Sequence, residues 1–371
     1  MKRAGRAGQD MGHSGEQQAG GLFAGRPAAV QWAALVVGSV LVAVALTYAG
    51  LPAALMLGPM IAGIAIGTNG GSIKVPRLPA VAAQTIVGCL VARAITADIV
   101  LAFLKDWPLL LGVVLAMVAA SVLLGLALSR FKSLPGTTAV WGTAPGGASA
   151  MMIMAGAFGA DPRLVAFMQY LRVVFVAALA SLVAWLWVGA GAAAAAHDPG
   201  WFAAFRWQDF AVTLAIAAIG GSLGVLLRIP AGSLLVPMVI GSILEVAGLV
   251  SIVLPPWLLA ITYAVLGSSV GLGFTRDILA HVSRALPLAL LAVFVMIAVS
   301  AGLAVVLVKA AGVDPLTAYL ATSPGGVDTV AIIAASSNVN LSFVMALQTL
   351  RVVIVLAIGP PLARYIARRM S

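Results

Sequence analysis

Two polar pairs of the same spacing lie within long apolar stretches, Gln169 with Arg172 and Gln348 with Arg351. A spacing of three places the amide and the guanidinium of each pair on one face of a helix. An arginine at the centre of a membrane helix costs about 2.5–3.5 kcal/mol on insertion scales, so each guanidinium is expected to face the protein interior. Two such arginines predict a site for a small anion. The alternative is that each arginine only hydrogen-bonds the chain of its own half.

A Pro-Gly-Gly sequence precedes each polar pair, and the two copies stand 179 positions apart. Proline removes a backbone donor and glycine weakens a helix, so both sequences predict helix breaks with free carbonyls and amides. Paired breaks in two halves indicate the central site of a transporter, whereas simple kinks filled by neighbouring side chains are the alternative. The predicted substrate contacts are Pro145, Gly146, Gly147, Ser149, Gln169, Arg172, Pro324, Gly325, Gly326, Gln348 and Arg351.

A single carboxylate distinguishes the second break, because Asp328 occupies the position that corresponds to Ser149. This carboxylate either carries a proton or a cation or forms a fixed ion pair with Arg351, and the sequence leaves both open. Hydroxyl groups beside the breaks are candidate Na⁺ ligands together with loop carbonyls, although they also satisfy backbone groups within membrane helices. The predicted coupling-ion residues are Asp328, Thr143, Thr322, Ser323 and Thr329.

The composition indicates the surroundings in which these residues act. Of the 371 residues, 62% are apolar and 9% are charged, and the mean hydropathy of +1.12 is typical of an integral membrane protein. Most basic residues flank apolar stretches, which favours membrane orientation over nucleic-acid binding. A single cysteine, Cys89, and three scattered histidines offer no metal-ligand spacing. We therefore expect no metal site, no cofactor and no enzymatic activity.

The chain divides into a polar tail and two membrane repeats. Composition predicts a disordered cytoplasmic tail over residues 1–28. The internal repeat then predicts a first membrane repeat at 29–190, a linker at 191–207 and a second membrane repeat at 208–371. Twelve apolar segments are predicted, at residues 28–48, 51–67, 78–95, 108–129, 137–160, 164–187, 209–227, 231–250, 257–275, 285–308, 317–337 and 341–363.

The distribution of Lys and Arg separates two topologies. If all twelve segments cross, the repeats are parallel, with 13 basic residues inside and five outside. If the Pro-Gly-Gly segments instead enter and return on one side, each repeat has five spans, the repeats are inverted, and the counts become 15 and three. The second arrangement fits better. It predicts an all-α membrane protein of two inverted repeats, each with about five transmembrane helices and one re-entrant or broken segment.

The duplicated stretches TAVWGTAPGGASAMMIMA and TAYLATSPGGVDTVAIIA, each followed by a Q-x-x-R-V-V helix, resemble the AbrB family of bacterial membrane proteins over residues 29–366. Members are labelled regulators or ammonia monooxygenases, and one branch is linked to control of gene expression. The pattern is also similar to glutamate and citrate symporters, whose inverted five-helix halves carry Gly-Gly re-entrant loops. Those symporters use Gly-Gly-x-Gly, which is absent here, so their substrates do not carry over.

From the residues and the resemblance we expect a secondary active transporter of a small organic anion, coupled to Na⁺ or H⁺. A membrane-embedded sensor that regulates gene expression through a partner is the alternative. The expected surroundings are the lipid bilayer of a bacterial inner membrane, with both termini cytoplasmic and no nucleic acid bound. Inverted-repeat transporters often form homodimers, but no residue identifies such an interface.

Overall fold

The chain is described by a computed structural model over residues 21–51, 53–95, 107–130, 137–144, 159–188, 205–229, 232–276 and 285–370, with residues 151, 155, 278 and 283 in addition. Within these ranges the chain is helical or irregular, without a β-strand. The helices are α1 (Ala28–Tyr48), α2 (Ala54–Thr68), α3 (Arg77–Ala94), α4 (Trp107–Leu128), α5 (Thr138–Thr143), α6 (Pro162–Val188), α7 (Trp207–Leu226), α8 (Gly232–Val246), α9 (Pro256–Gly271), α10 (Leu286–Ala311), α11 (Pro315–Thr322), α12 (Val327–Ala335) and α13 (Leu341–Met370).

Several of these helices suit a lipid bilayer. Five are long and apolar enough to cross it, namely α1, α4, α7, α10 and the Pro162–Leu186 part of α6. Large apolar side chains on the outer helices, such as Val36, Leu41 and Ile219, are exposed, as expected for residues that contact lipid chains. The all-helical membrane character predicted from composition is confirmed, since these helices are compatible with a multi-pass protein.

The helices repeat along the chain with the offset found in the sequence. The first residues of α1, α3, α4 and α6 are Ala28, Arg77, Trp107 and Pro162, and those of α7, α9, α10 and α13 are Trp207, Pro256, Leu286 and Leu341, each 179 positions later. Helices α2 and α5 correspond in the same way to α8 and α11, within a few residues. The duplication therefore extends from residue types to local structure.

The repeats are packed into two groups of helices, each with members from both repeats. Helices α1–α3 and α7–α9 form the first group, and α4–α6 and α10–α13 form the second. The groups meet where α3 lies against α12 and α13 and where α6 lies against α2 and α9.

Close backbone contact holds the first group together, because α2 packs on α9 and α3 packs on α8. A Cβ atom on Gly267 or Gly271 would lie 2.2 Å from the carbonyl oxygen of Met56 or Met60. Such distances leave room only for glycine, so these residues set how closely the two repeats approach.

The segment before α13 is divided into two short helices. Helix α11 has 8 residues and α12 has 9, which is about 12–14 Å each and too short to cross a bilayer alone. The break falls at the predicted Pro-Gly-Gly sequence, where Ser323 and Gly326 have extended backbone. The Asp314 carboxylate caps α11 by accepting the amide hydrogen of Leu316 at 3.0 Å.

Residues 21–27, which belong to the tail that the sequence predicts to be disordered, form turns against the loop between α2 and α3, where the amide of Phe23 donates to Asn69 O. The Gln31 side chain joins both segments, since Nε2 donates to Arg26 O and Oε1 accepts from the amide of Ser72. Residues 1–20 and 189–204 lie outside the described residues.

Candidate functional site

The chain from residue 315 to 340, here called the second hairpin, turns back on itself. The amide of Asn340 donates to Thr317 Oγ1 at 3.1 Å, so the start of α11 lies beside the start of α13. A continuous helix that crossed in one direction over these 23 residues would separate these atoms by about 35 Å. The first hairpin, defined by residues 138 and 161 of the first repeat, has the same closure, because the amide of Asp161 donates to Thr138 Oγ1 at 3.1 Å.

The polar pair on α13 holds the loop of the second hairpin. Gln348 Nε2 donates to Leu320 O at 2.9 Å and to Ser323 O at 3.1 Å. Arg351 donates through Nη1 to Ser323 O at 2.6 Å and through Nη2 to Gly325 O at 2.8 Å. Both side chains are fully buried, at 0% and 1% exposure. The carbonyls freed by the helix break are therefore satisfied by a buried amide and a buried cation.

The pair on α6 makes equivalent contacts in the first repeat. Gln169 Nε2 donates to Trp141 O at 3.0 Å and to Ala144 O at 3.1 Å, and Arg172 Nη1 donates to Ala144 O at 2.8 Å. Both side chains are buried. The predicted site residues Pro145, Gly146, Gly147 and Ser149 follow directly but lie outside the described residues.

The predicted hydroxyl ligands are engaged with backbone. Thr143 Oγ1 donates to Ser121 O and Ala139 O, and Thr322 Oγ1 donates in the same way to Ser300 O and Ala318 O, each within 2.9–3.0 Å. Ser323 Oγ donates to Leu320 O at 3.0 Å, and Thr329 is buried. In this conformation the threonines fasten the short helices to α4 and α10, which is the backbone role that the sequence left open. The side chain of Asp328 lies outside the described ones.

The loop of the second hairpin lies against α6 of the first repeat. A Cβ atom on Gly325 would lie 3.1 Å from Val176 Cγ1, and Val176 is one helical turn beyond Arg172. Arg351 donates to Gly325 O in this loop, so both guanidinium groups lie on helices that border the contact between the loop and α6. Among the described residues Arg351 has no carboxylate partner, and the ion pair between Arg206 and Asp209 lies apart, at the start of α7. The described side chains at the centre of the second helix group therefore include two buried cations, Arg172 and Arg351.

A small cavity of about 10 Å³ lies beside Arg172, which is room for about one water molecule. Its position depends on small residues of α10, because Ala289 and Ala292 stand where the other repeat has Leu110 and Val113. The cavity is lined by Gly142, Thr143, Met168, Arg172, Ala289, Ala292, Val293 and Met296. Both repeats thus contribute to the space beside this arginine.

The sequence predicted that each Pro-Gly-Gly segment re-enters, but it did not predict the hydrogen bonds that close the two hairpins. Thr138 and Thr317 are among the residues that the two repeats share, but their backbone contacts depend on the return of the chain. Among the described residues no group of three His, Cys, Asp or Glu side chains is placed to hold a metal ion.

Comparison with known proteins gives concordant matches. The sequence profile of the family described as "Transition state regulatory protein AbrB" matches residues 55–367. The chain is 45% identical over 338 residues to "Putative regulator AbrB" of Escherichia coli (strain K12), covering 91% of this chain and 97% of that protein. It is 30% identical over 279 residues to "Uncharacterized protein YhjN" of Bacillus subtilis (strain 168), covering 71% and 73%. No solved structure matches the chain.

Proposed function

The chain belongs to the AbrB family, and we propose that it is a secondary active transporter of a small organic anion in the bacterial inner membrane. Na⁺ or H⁺ is the coupling ion in this proposal. The activity is transport across the bilayer rather than catalysis.

The observation that carries the proposal is the pair of buried guanidinium groups. Arg172 and Arg351 lie in one group of helices, are 3% and 1% exposed, and bind loop carbonyls. Burying a charge in a membrane protein costs several kcal/mol, and two like charges add mutual repulsion. A bound anion lowers this cost at both residues, so the arrangement favours an anionic ligand over a neutral or cationic one.

The hairpins support a re-entrant topology for both repeats. Because residues 138 and 161 meet, as do 317 and 340, each Pro-Gly-Gly segment enters and leaves at one level. Each repeat then has five spans, and an odd number inverts the second repeat relative to the first. Helix breaks at matching positions of inverted repeats bring free backbone groups to the middle of the membrane, where transporters bind their substrates.

The division into two helix groups suggests how access alternates. The second group contains the short helices α5, α11 and α12 and both arginines, and it meets the first group through α3 and α6. Movement of one group against the other exposes the buried site first to one side and then to the other. Inverted repeats permit this because exchanging the conformations of the two halves exchanges the accessible side.

The coupling ion acts close to the second hairpin in this proposal. Asp328 is the second residue of α12, the helix that follows the loop held by Arg351. A proton on its carboxylate, or Na⁺ held with hydroxyls of Thr322, Ser323 and Thr329, offsets the charge of a bound anion. The corresponding residue of the first repeat is Ser149, so a single coupling site is expected.

A sensor is the second candidate, and the name of the Escherichia coli relative favours it. A sensor binds the same anion without moving it and passes the signal to a partner. Deleting residues 2–20 distinguishes a tail-mediated signal, because regulation is then lost while anion binding persists. Unchanged regulation in the deleted protein counts against that route.

Uptake of labelled anions into proteoliposomes tests the proposed function. The panel consists of carboxylates, sulfonates, phosphonates and amino acids, offered with a Na⁺ gradient, a pH gradient or neither. Uptake that requires one gradient supports coupled transport and identifies the ion. Binding without uptake under every condition favours the sensor, and the absence of both contradicts the anion site.

A further inference from the structure

The two repeats differ in how completely their buried polar atoms are satisfied. In the first repeat Gln169 Oε1 accepts a hydrogen bond from Arg172 Nη2 at 2.6 Å. In the second repeat the equivalent oxygen, Gln348 Oε1, has no partner among the described residues, and neither has Arg351 Nε. The repeats therefore differ at the glutamine oxygen, and the second repeat has an unpartnered acceptor, Gln348 Oε1, on the same face of α13 as the charged donor Arg351 Nε.

The two glutamine oxygens differ because the Arg351 guanidinium points toward the loop and not toward Gln348. Arg351 Nη2 donates to Gly325 O at 2.8 Å instead of reaching back to its glutamine. The orientation of the Gln348 amide follows from its neighbours, because a nitrogen must face the carbonyls of Leu320 and Ser323. Oε1 consequently points away from the loop as an acceptor.

A third buried polar atom near the loop of the second hairpin, Ser300 Oγ, also has no hydrogen-bond partner among the described residues. Ser300 is fully buried, while its counterpart in the first repeat, Ser121 Oγ, donates to Val118 O at 2.8 Å. The carbonyl of Ser300 accepts from Thr322 Oγ1, next to the loop that Arg351 holds. Buried polar atoms in native proteins are rarely left without partners. Gln348 Oε1, Arg351 Nε and Ser300 Oγ are three such atoms on helices that contact the loop of the second hairpin, which indicates that a ligand completes them.

We propose, building on the transport function above, that the second repeat makes the specific substrate contacts, through Arg351 Nε and Gln348 Oε1. The substrate is an organic anion with a hydrogen-bond donor beside its charged oxygen, such as a hydroxyl or ammonium group next to a carboxylate. The charged oxygen accepts from Arg351 Nε and the donor binds Gln348 Oε1. In the first repeat Gln169 Oε1 is already occupied by Arg172 Nη2, so this pair holds the end of α5 through Trp141 O and Ala144 O.

Binding of matched anion pairs to the purified full-length protein in nanodiscs tests this inference. The pairs are L-lactate with propionate, L-alanine with propionate, and L-malate with succinate, measured by calorimetry. Since an unpaired buried amide oxygen is costly, the member that carries the donor is expected to bind about tenfold tighter or more in at least one pair. Equal affinities within every pair overturn the inference but leave the transport proposal standing. Binding of no anion in this set or in the uptake panel contradicts the transport proposal itself.

Two matched variants show which glutamine distinguishes the two anions of a pair. Gln348→Met and Gln169→Met remove equivalent contacts with loop carbonyls, but only the first removes an unpartnered acceptor. The affinity ratio within a pair is expected to fall to about one in Gln348→Met and to persist in Gln169→Met. The opposite pattern, or a ratio that survives in Gln348→Met, contradicts the assignment. The comparison of wild-type affinities decides the question even where a variant does not fold.

Discussion

Replacing Gly325 with alanine is expected to displace the second hairpin from α6. The new Cβ would lie 2.8 Å from Val330 Cγ2 and 3.1 Å from Val176 Cγ1, whereas carbon atoms pack best at about 3.5–4.0 Å. Both neighbours are valines, whose side chains are stiff, so the loop must move by roughly 0.5–1 Å. The backbone itself accepts alanine, because Gly325 does not have a positive φ.

The magnitude follows from the contacts that this movement disturbs. Overpacking of a tight interior costs about 1–3 kcal/mol. A shift of that size also stretches the 2.8 Å hydrogen bond from Arg351 Nη2 to Gly325 O, and a hydrogen bond to a charged group contributes about 1.5–3 kcal/mol. We expect the free energy of unfolding to fall by about 1–3 kcal/mol and anion affinity to fall about tenfold.

Thermal unfolding and equilibrium anion binding of the purified protein measure these effects. Gly302→Ala is the matched control, because a Cβ atom on Gly302 meets no atom within 4 Å. It lies inside α10, where alanine favours the helix, so its stability should be unchanged or slightly higher. If Gly325→Ala unfolds and binds anions as Gly302→Ala does, the proposed contact between the hairpin loop and α6 is refuted.

Three further predictions concern packing, topology and the hairpin attachment. Gly267→Ala is expected to lower the unfolding temperature strongly, because its Cβ would lie 2.2 Å from Met56 O. The expected loss of unfolding free energy is about 3 kcal/mol, the upper end of the range for overpacking. Cysteines at Pro162 and Asn340 are expected to react with impermeant maleimide from opposite sides of the membrane, as five spans per repeat require. Thr322→Val is expected to cost about 0.5–1.5 kcal/mol in the free energy of unfolding, because it removes the 2.9 Å bond to α10.

Controls for these three predictions are present in the chain. Gly112→Ala tests a glycine whose Cβ meets nothing within 4 Å, and it should leave the unfolding temperature nearly unchanged. Native Cys89 is fully buried and should remain unlabelled, whereas labelling of both introduced cysteines from one side would contradict the inverted arrangement. Thr143→Val, which removes the matching bond to Ser121 O, should cost as much as Thr322→Val.

The elements that the sequence predicted well are those that depend on local composition. Apolar stretches of bilayer length became helices, and the offset of 179 positions recurs in the helix starts. The helix break at Pro324 could be located because proline and glycine act on their own backbone. The burial of Arg172 and Arg351 followed from the cost of placing a charge in lipid.

The features that the sequence did not predict depend on contacts between distant residues. The tight approach of α2 and α9 is made by glycines that look ordinary in a Gly-rich chain. The different partners of Gln169 and Gln348 are also invisible in the sequence, since both belong to the same Q-x-x-R pattern and differ only in how the arginine is directed. Side-chain direction at a site is set by the packing around it.

Counterflow of a labelled anion in proteoliposomes, with wild type compared with Arg351→Gln and Arg351→Lys, tests the central claim most directly. Counterflow needs no ion gradient, so it reports substrate movement whichever ion is coupled. We predict that wild type accumulates label, that Arg351→Gln does not, and that Arg351→Lys retains weak counterflow. Counterflow that is absent in wild type for every anion of the panel, or unchanged in Arg351→Gln, would contradict anion transport through this site.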